Sequence, residues 1–306
     1  MIKPILSLND LASRLGIARD RLEAVAAEID KHYRSWQKKY QKTGKVRTLH
    51  APSTDLKLIQ RRITRNVLLR IAISPDVHGG VKGCSPRSNA TPHLRRKWLA
   101  NLDVRDFFPQ VHHNVVLQVF RKELGFGRDV ARLLTRLTTR DGGLPQGAPT
   151  SLALANLILW KPVDVPIAAA AAALELNYTR WVDDISTSGD DPRPIINAVA
   201  RRLSARGLRM YREKSKFQAK PKLKITPHWR RQEVTGLVVN GKFPTISRVR
   251  RDRVRAAIQQ LKGLKGSEFQ KAVDSIQGRI LHVAQFNSRV AARLRSQLRL
   301  AKEARN

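Results

Sequence analysis

Two apolar segments of this chain carry acids where burial should forbid them. The run LANLDV, residues 99–104, reads as a buried strand that closes on Asp103. Some 80 positions later, NYTRWVDDISTSG alternates as two short strands about Asp183 and Asp184, a hairpin with its acids at the tip. Two carboxylates about 4 Å apart repel by roughly 4 kcal/mol at an effective dielectric near 20, so a cluster survives only if protonated or neutralised by cations. Oxygen-only ligands suit Mg2+, which keeps waters and substrate phosphates in its shell. Two such ions about 3.5–4 Å apart serve an in-line phosphoryl displacement. An isolated Asp-Asp pair is more often a turn or a helix cap, so the surrounding residues must decide between the two.

Charge narrows the partner. Lys and Arg number 59 against 24 Asp and Glu, a formal balance of +35 over 306 residues, so a polyanion is expected. Binding to nucleic acid would release counterions and fall steeply with salt. A ribosome-associated or membrane-surface protein would share this balance. No run approaches the roughly 18 uninterrupted apolar residues of a membrane span, and the opening MIKPILSLNDLASRLG does not have the layout of a signal peptide. The single cysteine, Cys84, can form neither an internal disulfide nor a cysteine zinc site. These features predict a cytoplasmic protein with no membrane partner.

Along the chain, residues 7–30 carry Leu and Ala at helical spacing, with Ser7 placed to cap and Gly16 to break, which predicts two short helices. Segment 32–47 is rich in Lys and Arg, free of acid and interleaved with Tyr33, Trp36 and Tyr40. It suits either phosphate gripping with base stacking or a solvated hairpin whose rings are core. Residues 56–73 read as a basic amphipathic helix stopped before Pro75, and 76–98 as a long Gly, Pro, Ser and Asn loop. Helix is predicted over 115–138, from Ser151 onward through the alanines at 168–173, and over 192–210, with a Gly/Pro loop at 142–150. Residues 248–306 hold 15 Lys and Arg against 4 acids at helical spacing, a separate basic module.

The segments NLDVRDFF, GLPQGAPTS and YTRWVDDISTS occur in that order. Together they resemble the palm motifs of reverse transcriptases, the last being a variant of the family's Tyr-x-Asp-Asp box. The resemblance implies an α+β right-hand polymerase: N-terminal helices and fingers over 1–98, a palm with an antiparallel sheet backed by helices over 99–240, and a basic helical thumb over 241–306. Segments at about 110–140 would belong to the fingers. It further implies an RNA-directed DNA polymerase in which Asp103 and Asp183 bridge two Mg2+ ions, with Mn2+ as a substitute. Asp184 would complete the cluster and the Val104 carbonyl would add a ligand. Phe108 matches the aromatic that excludes a 2′-hydroxyl and so selects dNTPs, although core packing would explain it too. Gln146 and Gly147 match the loop at the incoming nucleotide. Lys45 and Arg47 match residues that grip the triphosphate, and Lys214 matches a lysine that could protonate the leaving pyrophosphate, unless it is simply a surface lysine. Trp181 and Val182 stand where the family usually has Tyr-Ala, a departure that removes no metal ligand.

Two further matches point within the family to bacterial retrons: NATPH at 89–93 and VTGLVVN at 234–240. Retron enzymes copy their own structured noncoding RNA into msDNA, leave an RNA/DNA hybrid product and serve antiphage defence, in some cases with an effector protein encoded nearby. Asn89, His93, Thr235 and Gly236 are then candidate RNA contacts, or else residues that fix a loop and a strand turn. An abortive-infection, CRISPR-associated or group II-like reverse transcriptase is the first rival. A non-catalytic RNA-binding scaffold is the second.

Overall fold

The computed structural model describes residues 3–39, 44, 46–210 and 223–304, apart from the Arg47 side chain. The Ser7 hydroxyl accepts from the Asp10 amide at 3.1 Å and caps α1 (Leu8–Leu15), which ends at left-handed Gly16. After α2 (Arg19–Ala27), strands β1 (Tyr33–Lys39) and β2 (Val46–Pro52) form an antiparallel hairpin in register from Tyr33–Pro52 to Lys39–Val46. Its described rings differ in exposure. Tyr33 is core, its hydroxyl accepting from Gln60 Nε2 at 2.7 Å, whereas Trp36 is exposed and Tyr40 lies outside the described residues.

Ser53 starts α3 (Thr54–Asn66) earlier than apolar spacing implied, by accepting from the Leu56 amide at 3.3 Å. The helix stops at Asn66 rather than near residue 73, because Val67 leaves helical geometry at φ −120°, ψ −67°. The stretch 76–98, expected as loop, contains α4 (Pro86–Ala90) and a 3-10 turn, Thr91–His93. Ser85 and Ser88 cap one another and Pro86 occupies the first turn, so the Ser and Pro that read as loop residues in fact begin a helix.

Strand β3 (Trp98–Asp103) leads into α5 (Phe107–Gln110). The single helix expected over 115–138 is two, α6 (His113–Gln118) with a wide turn at Val119–Glu123, and α7 (Arg128–Thr138). Gly127 marks the break. Its amide donates to the Ile5 carbonyl at 2.8 Å, and a Cβ there would lie 2.1 Å from the Leu6 carbonyl oxygen, so the N-terminal segment passes too close for any other residue.

Helices α8 (Ser151–Leu159) and α9 (Val165–Ala173), joined by a wide turn at Trp160–Asp164, form one apolar rod. By length and composition Ser151–Ala173 could cross a membrane, the single such stretch among the described residues. Leu154, Leu157, Ile158 and Leu159 of this rod are fully or nearly fully buried in the protein core, together with Asp164. The hairpin β4 (Asn177–Trp181) and β5 (Asp184–Gly189) follows, then α10 (Arg193–Ser204), shorter than expected because the chain turns at left-handed Gly207. Strands β6 (Lys224–Pro227), β7 (Glu233–Val234), β8 (Leu237–Val238) and β9 (Thr245–Ile246) precede α11 (Arg248–Gln260), α12 (Gly266–Ala284) and α13 (Ser288–Glu303).

The architecture is α+β, as expected. An antiparallel sheet of order β4-β5-β3-β6 lies against α8–α10 in one large core that also takes in α1–α3, α6 and α7. A second core joins α11–α13 to the small sheet β7-β8-β9 through Val234, Leu237 and Ile246, and reaches back to Ala90 and Leu99. That cluster therefore begins on the N-terminal side of residue 240.

Candidate active site

Strand register brings the three acids to one end of the four-stranded sheet. Asp103 stands directly opposite Asp184 in the β3–β5 ladder. Trp181 pairs with Asp184 across the hairpin, so Val182 and Asp183 alone make the turn. The Val104 amide donates to the Asp183 carbonyl at 3.2 Å, closing the turn onto the end of β3. Directly opposed residues in an antiparallel pair lie within about 5.5 Å at Cα, and like charges so placed destabilise the pair. As the side chains stand, no three His, Cys, Asp or Glu among the described residues form a group that could hold a metal ion. The donor chemistry nevertheless fits a hard divalent cation, since every side chain brought here ends in carboxylate oxygen.

These acids border a cavity of about 1080 Å³. Val104 and Phe108 continue its wall beyond the acids, with Phe108 edge-on to Phe107 at 5.5 Å. Gln146 and Gly147 also line it, and the Gln146 carbonyl accepts from the His50 amide at 3.2 Å. Gly147 has φ 111°, and a Cβ there would meet the His50 carbonyl at 3.3 Å. Val46, Thr48 and His50 of β2 line the cavity beside them. Arg140 and Asp141, which sequence reasoning did not single out, line it too, Arg140 being paired with Asp30 at 2.6 Å. Lys45 and Lys214 lie outside the described residues. The Arg47 backbone pairs with Lys38, and its side chain also lies outside them.

Residues 36–237 match the reverse transcriptase (RNA-dependent DNA polymerase) family. The chain is 32% identical over 274 residues to the retron Ec86 reverse transcriptase of Escherichia coli, covering 87% of this chain and 82% of that protein. It is 32% identical over 311 residues to the retron Mx65 reverse transcriptase of Myxococcus xanthus, covering 94% and 70% respectively. The chain belongs to the bacterial retron reverse transcriptases. It is thus an RNA-directed DNA polymerase, and the family implies dependence on divalent metal.

In this reverse transcriptase the acid-bearing turn is strained. Val182 has φ 59°, a left-handed conformation that a β-branched residue adopts only when its surroundings impose it, at a cost of about 1–3 kcal/mol. Gly79 packs against the turn so closely that a Cβ would sit 2.5 Å from the Val182 nitrogen. Arg180 Nη1 donates to the Val182 carbonyl at 2.7 Å, while its Nε and Nη2 make a bidentate pair with Asp164, both at 2.7 Å. Asn156 joins the network, accepting from Arg180 at 3.0 Å and donating to the Gly79 carbonyl at 2.8 Å. Arg180 and Asp164 are fully buried. Burial alone would lower the Arg180 pKa, but Asp164, Tyr178 and Asp183 outweigh it and hold the guanidinium above its ordinary value. Burial, and then Asp164, push the Tyr178 hydroxyl well above the usual tyrosine range, so it stays protonated and donates to Asp164 at 2.7 Å.

Two of the expected RNA contacts are corrected by their burial. Asn89 is 1% exposed and His93 0%, so neither side chain presents a surface to RNA. His93 instead lies against the sheet, with Nδ1 2.7 Å from Ser188 Oγ and Nε2 2.8 Å from Thr179 Oγ1. Burial pushes its pKa down to about 3, which keeps the ring neutral. Thr235, partly buried, donates to the Pro86 carbonyl at 3.2 Å, and Gly236 makes the β7–β8 turn at φ 77° with the Arg250 guanidinium about 3.5 Å from where a Cβ would sit. Together these residues tie α4 to the sheets on either side of it.

Proposed function

We propose that this reverse transcriptase copies a structured noncoding RNA into single-stranded, msDNA-type DNA in the bacterial cytoplasm, as part of antiphage defence and in concert with an effector protein encoded nearby. The observation that carries the catalytic reading is the opposition of Asp103 and Asp184 across the β3–β5 ladder, with Asp183 in the adjoining two-residue turn at the edge of a large cavity. Asp103, Asp183 and Asp184, with the Val104 carbonyl, would hold two Mg2+ ions, or Mn2+ in their place. When bound, these ions activate the primer hydroxyl and offset charge developing on the transferred phosphoryl group.

The chain's own residues then position the dNTP. Phe108 presents a ring at the sugar, where its bulk excludes a 2′-hydroxyl. Gln146 and Gly147 bring backbone close to the nucleotide. Lys45 and Arg47 are assigned to the triphosphate, which a guanidinium fork can engage through two oxygens, and Lys214 to protonation of the departing pyrophosphate. The large core divides between fingers and palm, and the basic helices α11–α13 serve as a thumb along the RNA/DNA hybrid. Asn89, His93, Thr235 and Gly236 act on RNA only through the packing of α4 and the β7–β8 turn.

Replacing Asp183→Ala together with Asp184→Ala should abolish primer extension on an RNA template in Mg2+ while leaving RNA affinity within a few-fold of wild type. Retained synthesis would overturn the assignment of the acids. DNA co-purifying with the wild-type chain, once sequenced, tests the retron product: a branched or RNA-linked single strand of defined sequence supports it, and its absence favours another class of bacterial reverse transcriptase.

A further inference from the structure

The end of the sheet away from the acids carries an exposed tryptophan that the catalytic reading leaves unused. β3 runs from Trp98 to Asp103, and Trp98 pairs with Pro227 of β6 at the far end. At ~3.4 Å per residue that end lies roughly 17 Å from the acids. Just past it, Trp229 is 68% exposed. Its ring is nonetheless fixed, meeting Trp98 edge-on at 5.6 Å and His228 at 5.3 Å. The loop beneath is pinned by one side chain: Asn240 Oδ1 accepts from the Gln232 amide at 2.9 Å, and its Nδ2 donates to the carbonyls of His228 at 2.7 Å and Arg230 at 2.8 Å. The His228 amide donates to the Lys97 carbonyl at 2.9 Å and so binds the loop to the start of β3. A flat apolar ring held still in water loses little freedom when a partner covers it.

Cations neighbour both tryptophans along the chain. Arg95, Arg96 and Lys97 precede Trp98, Arg230 and Arg231 follow Trp229, and all five are exposed. Lys97 has Asp190 at 3.9 Å and Arg231 has Glu233 at 3.0 Å, whereas Arg95, Arg96 and Arg230 have no carboxylate partner among the described residues.

We propose that Trp229 and these cations form a second RNA platform outside the cleft, on which an unpaired base stacks against the indole while the flanking phosphates meet the guanidinium and ammonium groups. The inference rests on the reading of the chain as an enzyme of structured RNA. It adds where an unpaired segment of that RNA is held while copying proceeds at the other end of the sheet. The charge selects a polyanion over an apolar protein partner, since a protein covering the ring would also have to match Arg95, Arg96 and Arg230, which lack carboxylate partners among the described residues.

The test uses the full chain and two RNA templates annealed to the same DNA primer, one just long enough to fill the cleft and one bearing an additional A-rich single-stranded extension. Wild type should bind the extended template about ten-fold more tightly, the scale of one base stacked on an aromatic ring. Trp229→Ala should lose that advantage and Trp229→Phe should keep most of it. Arg230→Ala with Arg231→Ala should reduce the salt dependence of the extended complex by about two counterions. Extension rates on the short template should be unchanged in all three variants. If Trp229→Ala binds the extended template as wild type does, the platform is refuted. If even wild type fails to extend the short template, the polymerase reading fails separately.

Discussion

At one end of β3, Asp103 faces Asp184 across the ladder beside a turn whose Val182 sits at φ 59°; at the other, Trp98 supports an exposed ring between runs of arginine and lysine. The acidic end concentrates like charge and strained backbone, and a buried ion pair holds it in place. The basic end is built from exposed groups on a well-bonded loop, and carries left-handed backbone of its own at Arg95, φ 55°. The two ends thus differ in charge and in exposure: opposed carboxylates beside a buried ion pair at one, solvent-exposed cations around an indole at the other. Asp103→Asn is the sharpest way to break this contrast. It should lower single-turnover primer extension by roughly 10⁴-fold, ~5 kcal/mol, yet raise the unfolding free energy of the metal-free protein by about 0.2–1 kcal/mol, because a like charge directly across the ladder is gone. Urea unfolding in chelator measures the second effect, and a loss of stability there would show that the acids do not strain the fold.

The ion pair beneath the turn makes the next largest difference. Asp164→Ala leaves the Arg180 guanidinium buried without its bidentate partner, and should destabilise the protein by about 3–5 kcal/mol. Arg180→Met combined with Asp164→Leu should recover only part of that stability: no charge is then buried unpaired, but the Tyr178 hydroxyl and Asn156 Oδ1 lose their partners. It should not recover activity. The Val182 carbonyl would still lack the donor that holds the turn, so extension should stay depressed in a double variant that is more stable than Asp164→Ala alone. Recovery of both together would mean that the pair serves packing alone.

Much of the acidic end was legible in the sequence because the signal was local: an apolar run closing on Asp103 and an alternating pair of strands around Asp183 and Asp184 give both the hairpin and its tip. Gln146, Gly147 and Phe108 fell on the cavity wall for the same reason, each lying within a contiguous motif. The Arg180–Asp164 pair escaped because its members lie on a strand and a helical rod, and each looked like an isolated polar residue in an apolar segment. A lone arginine in NYTRW and a lone aspartate between two apolar helical stretches, opposite in sign, were the available clue. Asn89 and His93 were expected at RNA through the NATPH resemblance, with fixing a loop as the alternative; the reciprocal Ser85–Ser88 cap turns that stretch into a helix, and the burial of both side chains favours the alternative. The early end of α3 and the split at Gly127 depended on a single backbone conformation and on a distant carbonyl, neither of which periodicity records.

Acid should expose what His93 contributes. Its folded pKa of about 3 lies below the ordinary 6.5, chiefly through burial, with His78 and Arg96 adding to the effect. The unfolded chain therefore binds a proton that the folded protein refuses. Stability is complete above about pH 6.5 and is lost as pH falls from there toward 3, by on the order of 3 kcal/mol at pH 4. His93→Gln, which can still bond to Thr179 and Ser188, should flatten that part of the profile in denaturant titrations run from pH 7 to pH 4. An unchanged acid slope would assign the lability to other groups.

The smallest effect is the most discriminating for the turn itself. Val182→Gly removes a β-branched side chain from a left-handed position, relieving about 1–3 kcal/mol of strain, while glycine adds about 0.5–1 kcal/mol of unfolded-state entropy. The balance should be a protein about 1 kcal/mol more stable, with a melting temperature higher by a few degrees. Extension should nevertheless slow, because Asp183 would then hang on the most permissive residue available. A variant both less stable and slower would mean that Val182 is held by packing rather than against its backbone preference. A variant more stable and equally fast would mean that Gly79 and Arg180 alone are enough to fix the acids.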